Sequence, residues 1–256
     1  MRPQAVALVA GVIDRLEGRP YGTGRPPLPT LHVVEALRFF VREGVQWREL
    51  RATAGRASGA TLRRRLGEWD GTALLRRVHL ALIRMVRAGP EPAPWDVVVD
   101  SCSVRAKRGG ELTGPNPTDR AKMGTKYHLA VDGDGTPVAC AVTAANVNET
   151  RLFQRLLLAA TGVMKRIQDV FADKGYDNER HRAACRAIGA RAFIHKRGRP
   201  HGSGLGQFRW PVERTLGWLL ENKRLGLRYD RCAYIIRSLL QAGCIFLVVA
   251  TLAREL

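Results

Sequence analysis

Cysteine is scarce in this 256-residue sequence, which has five cysteines and no C-x-x-C pair. An odd number of widely spaced cysteines argues against a disulfide framework, and the lack of C-x-x-C pairs argues against a structural zinc site. We therefore expect the protein to work in a reducing cytoplasm.

Long apolar segments are also lacking. The longest apolar stretch, Ala242 to Ala253, is too short to span a bilayer, and we expect it to form a buried core helix. Near the start of the sequence, Asp14 and Arg15 interrupt an apolar run, and no small-residue cleavage site stands out. We therefore expect neither a signal peptide nor a membrane partner.

Acidic residues are few compared with basic ones. The sequence has 42 Lys and Arg against 23 Asp and Glu, which gives a net charge of +19 at neutral pH. This excess is far larger than solubility requires, and it predicts a polyanionic partner. Because the positive charge is spread along the chain, we expect DNA or RNA rather than an acidic membrane.

Proline and glycine divide the chain into two parts. The stretch AGPEPAP predicts a linker at 89–94 between a helical domain, residues 1–88, and an α/β domain, residues 95–256. The helical domain includes a Gly/Pro-rich arm at 18–29. We expect a fragment that starts near Trp95 to keep a folded core.

Three short helices are predicted between Thr30 and Ala88. The middle helix carries the triplet Arg63, Arg64 and Arg65, which the apolar periodicity places on the outward face. This pattern fits a helix-turn-helix module with a basic recognition helix that contacts DNA. A solvated helix face without DNA contact is the alternative. The third helix is expected to turn Met85 inward.

Strand and helix patterns alternate in the second part. Strands are predicted at 95–104, 125–131, 137–143, 169–173 and 191–195. The D-G-D-G segment between the second and third strands is typical of a hairpin turn, and only superficially resembles a calcium loop. Asn148 and Asp177 are expected to cap helices. The expected fold class is α/β, with strands and flanking helices.

Three acids stand at positions suited to a metal site. Asp100 and Asp173 end predicted strands, and Glu213 lies near the start of a helix. If the strands are neighbours and the helix crosses their edge, three carboxylates converge, as Mg²⁺ or Mn²⁺ sites that cleave phosphodiesters require. The alternative is that Asp100 binds backbone amides or an arginine, and that the other two are surface acids.

Four stretches of the sequence carry a family resemblance. They are VVVDSCSVRAKRGG, MGTKYHLAVDGDGTPVACAVTAANVNETRLFQRLL, FADKGYDNERHR and RWPVERTLGWLLENKRLGLRYDR, in this order. With them the chain resembles the DDE transposases of bacterial insertion sequences, close to the insertion sequence 5 family. The segment from Glu35 to Gly71 is similar to the helical domain found upstream in that family. The order and spacing of four motifs make this resemblance specific.

The resemblance implies a ribonuclease-H-like catalytic domain with a mixed sheet flanked by helices, preceded by a small all-α helix-turn-helix-like domain. It implies Asp100, Asp173 and Glu213 as the catalytic, metal-binding triad, with two Mg²⁺ or Mn²⁺ ions as the cofactor. Arg209 matches a basic residue of the family, and its implied role is to hold phosphate or an active-site acid. Tyr176 is expected to pack rather than to react.

Two positions depart from the family signature. A tyrosine three residues before the arginine and a lysine seven residues after the glutamate are replaced here by Gly206 and Leu220. Lys223 or Arg224 is expected to supply the missing charge. The full set of expected DNA contacts is Arg63, Arg64, Arg65, Lys107, Arg108, Lys196, Arg197, Lys223 and Arg224.

Histidine and tryptophan offer further candidates. His128, His195 and His201 are expected to pack, or, for the last two, to contact phosphate. Trp210 and Trp218 flank Glu213 and are expected in the core, with stacking on a displaced base as the alternative.

The resemblance implies a transposase that binds the ends of its insertion sequence and carries out Mg²⁺-dependent DNA cleavage and strand transfer. The implied partners are double-stranded DNA, as element terminal repeats and as target, and a second copy of the chain in a homodimer on DNA. The implied location is the bacterial cytoplasm, in association with the nucleoid. A nuclease of the same fold without strand transfer and a catalytically idle DNA-binding repressor are the alternatives.

Overall fold

The computed structural model describes residues 3–18, 26–88, 96–196 and 206–255. The predicted linker at 89–94, most of the Gly/Pro-rich arm, the predicted DNA contact Arg197 and the histidine His201 lie outside the described residues.

The helical part contains α1 (Pro3–Glu17), α2 (Thr30–Glu43), a 3-10 turn (Trp47–Glu49), α3 (Gly59–Gly71) and α4 (Leu74–Val86). The predicted start of α3 is confirmed, because the Ser58 side chain accepts a hydrogen bond from the Thr61 amide. Gly44 ends α2 in the left-handed conformation, at φ 67°. The inward prediction for Met85 is wrong, since this residue is 45% exposed.

A six-stranded sheet forms the second part. Its strands are β1 (Asp96–Arg105), β2 (Gly114–Pro115), β3 (Met123–Asp132), β4 (Pro137–Ala144), β5 (Asp169–Ala172) and β6 (Arg191–Ile194). β3 runs antiparallel to β1 on one edge and to β4 and β2 on the other, and β5 and β6 continue parallel to β1. An antiparallel meander followed by parallel strands on the far side of β1 is the ribonuclease-H-like arrangement.

The D-G-D-G segment is a hairpin turn, as predicted. The Asp132 carboxylate accepts hydrogen bonds from the Asp134 amide at 3.1 Å and the Thr136 amide at 2.8 Å, and Gly135 has φ 85°. Oδ1 of Asp132 therefore shapes the turn while Oδ2 pairs with Arg87, which supports a hairpin turn over a calcium loop.

The remaining helices are α5 (Thr150–Thr161), α6 (Glu179–Ala187), α7 (Gly206–Leu220), α8 (Lys223–Gly226) and α9 (Ala233–Glu255). Asn148 accepts a hydrogen bond from the Thr150 amide, as a capping side chain does. The predicted cap Asp177 is wrong by one residue, because the Asn178 side chain accepts a hydrogen bond from the Arg180 amide at the start of α6.

The long helix α9 joins the two parts. It packs against α1, α2, α3 and α4 as well as against β4, and one continuous hydrophobic core spans both parts. The stretch Ala233–Leu252 is long and apolar enough to cross a membrane by length and composition, but 67% of its apolar window is buried inside the protein. A helix with most of its apolar surface buried inside the protein is typical of a core helix.

Polar contacts reinforce the same junction. His79 on α4 is buried between the Pro137 carbonyl, 2.8 Å from Nε2, and the Gln241 amide, 2.6 Å from Nδ1. Arg87 donates to Asp132 at 3.0 Å, and both side chains are less than one-tenth exposed. The two parts therefore share specific buried contacts as well as apolar surface.

Arg228 organises the basic loop between β1 and β3. Its side chain is 2% exposed and donates to the carbonyls of Leu112 at 3.0 Å and Asp230 at 2.8 Å, and to the Thr113 hydroxyl at 2.6 Å. A buried guanidinium is tolerated only when its donors are satisfied in this way. The loop that carries Lys107 and Arg108 is thus tied to the core.

Candidate active site

Sheet topology brings two of the predicted acids to the same edge. β1 and β5 are parallel neighbours, and their last paired residues are Val99 and Ala172. Asp100 follows Val99 within β1, and Asp173 follows the last residue of β5. Both acids therefore lie where the carboxyl end of β5 meets the middle of β1. Because paired residues of parallel strands point to the same side of a sheet, the two carboxylates share a face.

Helix α7 brings the third acid and Arg209 to this edge. The Phe208 ring stacks on Phe171 of β5, with centroids 5.0 Å apart, and thereby anchors the start of the helix on the sheet. From α7, the Arg209 Nη2 donates to Asp100 Oδ2 at 2.8 Å and lies 3.2 Å from Glu213 Oε1. Arg209 and Glu213 are four residues apart and so share one helix face.

The electrostatics of the site centre on Asp100. Its side chain is 16% exposed, and burial raises its pKa despite the opposing hydrogen bonds from Arg209 and from the Ser101 amide. Burial would lower the pKa of Arg209, but the hydrogen bond to Asp100 and the nearby charges of Asp173 and Glu213 outweigh it and raise that pKa. One guanidinium therefore sits within the field of all three acids.

The donor set suits a hard divalent cation. Carboxylate oxygens are the ligands that Mg²⁺ and Mn²⁺ prefer, and a cation beside Asp100 would offset the burial of its charge as Arg209 does. Within the described ranges, no three acidic, histidine or cysteine side chains are grouped tightly enough to enclose an ion. Arg209 instead links Asp100 to Glu213, and the three acids fit the ion by their oxygen chemistry and by their place near the carboxyl end of β5.

Gly175, in the turn after Asp173, lets two carboxylates approach the backbone closely. Asp173 Oδ1 accepts a hydrogen bond from the Gly175 amide. A Cβ atom on Gly175 would lie 2.8 Å from Asp173 Oδ1 and 3.1 Å from Glu149 Oε1. Tyr176 packs as expected, 1% exposed, with its ring centroid 5.7 Å from that of Phe153. The D-K-G-Y motif thus holds the Asp173 carboxylate against the backbone.

The structure places the expected DNA contacts in two groups. Arg63, Arg64, Lys107, Arg108, Lys196 and Lys223 are exposed. Arg65 and Arg224 are buried, at 4% and 5% exposure. The outward prediction for Arg65 is therefore wrong, and Arg224 is not displayed to DNA.

Tertiary ion pairs explain both burials. Arg65 donates to both carboxylate oxygens of Glu17, at 3.0 and 2.8 Å. Arg224 pairs with Asp230 at 2.9 Å, while its guanidinium lies 4.3 Å from the centroid of Phe40. Both side chains connect elements of the core, which leaves them no part in a phosphate contact.

Lys223 and Arg224 were predicted to replace the lysine of the family signature, but both contact other residues. The Lys223 Nζ is 3.4 Å from Glu43 on α2, and Arg224 forms an ion pair with Asp230. Sequence reasoning missed Lys126 and Glu149, which form an ion pair of 2.9 Å next to Gly175. A lysine on the same face of β3 as His128 is the signal that would have found Lys126.

The remaining predicted residues divide between core and surface. His128 is buried with Nε2 2.8 Å from the Thr143 hydroxyl, and burial lowers its pKa to about 4. His195 follows β6 at the active-site edge. Trp210 is 58% exposed and Trp218 37%, so the core prediction for these two tryptophans is wrong.

The model of the transposase DDE domain family matches residues 91–251. The chain belongs to the DDE transposase family. The transposase assigned to insertion sequence element IS402 of Burkholderia cepacia is 44% identical over 153 residues, which cover 57% of this chain and 72% of that protein. The uncharacterized 16.2 kDa protein of the same element is 33% identical over 94 residues, 37% of this chain and 64% of that protein.

Among solved structures, the piggyBac transposase synaptic complex with hairpin DNA has a TM-score of 0.46 at 10% identity, over 97% of this chain and 72% of that one. Membership of the DDE transposase family identifies this chain with the transposases of bacterial insertion sequences, as its sequence motifs predicted.

Proposed function

We propose that this chain is the transposase of an insertion sequence close to the insertion sequence 5 family, which binds the element ends, cuts DNA there and joins the freed ends to target DNA. The observation that carries the proposal is the meeting of Asp100 and Asp173 at one sheet edge, with Glu213 brought there by α7. The reaction belongs in the cytoplasm, at the nucleoid, with a homodimer holding two element ends.

In the proposed reaction, water attacks the phosphorus at the element end, the bond to the 3′ oxygen breaks, and a 3′-hydroxyl and a 5′-phosphate result. That hydroxyl then attacks a target phosphodiester and displaces a second 3′ oxygen. Divalent ions supply charge neutralisation at the phosphate oxygens and activation of the attacking oxygen. Asp100, Asp173 and Glu213 would hold the ions, and Arg209 positions Asp100 and Glu213 through its contacts of 2.8 and 3.2 Å.

The DNA path is proposed to follow the carboxyl edge of the sheet. Lys107 and Arg108 follow the end of β1, which continues past Asp100 to Arg105, and Lys196 follows the end of β6, so all three lie on the side of the sheet toward which the parallel strands run. Arg63 and Arg64, on α3, are proposed to contact the element end separately.

The Lys107→Gln, Arg108→Gln double variant should bind duplex DNA more weakly than the wild type and with a smaller salt dependence. Removing one phosphate-binding charge reduces the slope of log affinity against log salt by about 0.9. Lys165→Gln with Arg166→Gln is the matched control, since these exposed residues precede β5 at the opposite edge. Equal slopes for both double variants in a salt titration would refute the proposed path.

Strand transfer is the decisive test of the function. The full chain, a labelled duplex with a candidate element end, a supercoiled target plasmid and Mg²⁺ should give end-joined plasmid. Nicked DNA without joined product would indicate a nuclease, and bound but uncut DNA would indicate a repressor. Either result would overturn the transposase assignment.

A further inference from the structure

An ion pair unused by the proposed triad lies beside Asp173. Lys126 of β3 has a side chain only 13% exposed, and its ammonium donates to Glu149 Oε2 at 2.9 Å and to the Val147 carbonyl at 3.0 Å. Burial would raise the pKa of Glu149, but the hydrogen bond and charge of Lys126, together with a backbone hydrogen bond, outweigh it and lower that pKa. The Glu149 carboxylate is therefore charged and held in one place.

The second oxygen of Glu149 faces the proposed site. Both Glu149 Oε1 and Asp173 Oδ1 approach Gly175 closely enough to crowd any Cβ atom there. The two carboxylates thus approach the same glycine. Glu149 comes from the residue before α5, and Asp173 from the residue after β5. Like charges placed so near each other raise the affinity of the site for a cation.

A buried polar atom without a partner lies near this pair. Among the described residues, His128 Nδ1 has no hydrogen-bond partner in usual geometry, and the Tyr176 hydroxyl interacts with the Ser101 side chain. The charges of Asp100, Asp173 and Glu149 all act on the Tyr176 hydroxyl, whose pKa burial raises. Buried polar groups are normally satisfied by protein, water or a ligand, so His128 Nδ1 is open to a polar partner beside the Lys126–Glu149 pair.

We propose that Glu149 is a fourth acid of the active site, a positioning residue that strengthens and orients the binding of a divalent ion at Asp173, and that Lys126 is its counter-charge. This inference rests on the proposed function. Lys126 lies on β3 and pairs with Glu149, whereas the lysine of the family signature would lie on α7, at the position of Leu220. A partner of this kind next to a metal ligand changes metal affinity by roughly 10- to 100-fold.

Two variants of the same ion pair give opposite expectations. Glu149→Gln should weaken Mn²⁺ binding to the full chain by about tenfold, because it removes negative charge near the ion. Lys126→Gln should strengthen binding, because it removes a competing cation while keeping a donor for the Val147 carbonyl. Calorimetric titration with Mn²⁺ in the absence of DNA measures both affinities without relying on catalysis.

A purely structural ion pair predicts a different pattern. Breaking it from either side would then lower the melting temperature alike and shift Mn²⁺ affinity in the same direction or not at all, and that outcome would overturn the inference. Glu179→Gln is the matched control, since Glu179 also stands at the start of a helix and pairs with a basic residue, Arg186. Its Mn²⁺ affinity should equal that of the wild type.

The same titrations separate this inference from the proposed function. If Asp100→Asn and Asp173→Asn leave Mn²⁺ affinity unchanged, the metal site itself is wrong and both proposals fail. If those two variants weaken binding while Glu149→Gln does not, the triad stands and the fourth acid is excluded.

Discussion

Asp100→Asn, Asp173→Asn and Glu213→Gln should each abolish Mg²⁺-dependent nicking of element-end DNA while leaving duplex binding close to that of the wild type. Each amide keeps the size and polarity of the acid but removes the charge that divalent ions require. DNA binding should persist because the exposed lysines and arginines that we propose as phosphate contacts are not altered.

The structure also predicts how stability responds to these substitutions. Burial raises the pKa of Asp100 in the folded protein even against the Arg209 hydrogen bond, so the ionised carboxylate costs folding free energy at neutral pH. Asp100→Asn should therefore not lower the melting temperature. Glu213, whose side chain is 48% exposed, should be nearly neutral to stability when changed, as solvent-exposed ion pairs usually are.

Melting temperature and Mg²⁺-dependent nicking, measured on the same variants, separate catalytic from structural roles. If the acids only satisfied backbone amides, their loss would lower stability by about 1 kcal/mol and leave nicking intact. Asp177→Asn is a suitable control, because Asp177 ends the same turn but pairs with Arg182 at 2.7 Å. Near-normal nicking by any triad variant would remove that residue from the site.

A fragment containing only residues 96–256 should fail to fold on its own. The apolar face of α9 packs against α1, α2, α3 and α4, and removing those helices exposes a row of residues that are buried in the whole chain, among them Ile236, Leu240 and Val248. Each fully buried aliphatic side chain contributes about 1.5–3 kcal/mol. A loss of several such contributions is comparable to the net stability of a typical domain, roughly 5–15 kcal/mol.

This expectation replaces the one drawn from the linker-like sequence at 89–94, although the domain boundary itself remains a prediction. Far-ultraviolet and near-ultraviolet circular dichroism of the fragment should show loss of fixed tertiary packing. Cutting the full chain at a protease site introduced within 89–95 is the control, since both pieces then stay present and should remain associated. A fragment that unfolds cooperatively by itself would contradict the shared core.

Local patterns carried much of the prediction. The alternation in β3, the Ser58 cap of α3 and the D-G-D-G turn each depend on residues within a few positions of one another, so sequence periodicity and capping chemistry suffice to predict them. Asp100 and Asp173 were found by the same local reasoning, as acids that follow β-branched or apolar strand runs. Whether the two carboxylates lie close together depended on whether β1 and β5 are neighbours, which local sequence patterns do not determine.

Side-chain fates that depend on distant partners could not be predicted. Arg64 and Arg65 look alike in sequence, yet only Arg65 meets Glu17, 48 residues away, and is buried by that contact. Arg224 is similarly buried against Phe40 and Asp230. Trp210 and Trp218 behave in the opposite way, because α7 turns them outward when it places Arg209 and Glu213 over the sheet.

By itself, the sequence determined most elements, the basic character and the family, and it predicted the candidate acids, since all of these depend on residue type and short spacing. Only the tertiary structure decided that Arg209 links Asp100 to Glu213, that the Lys126–Glu149 pair lies next to Asp173, and that α9 packs against both parts of the chain. These contacts join residues far apart in sequence. A carboxylate and a guanidinium form such an ion pair only when packing of the folded chain places them side by side and buries both.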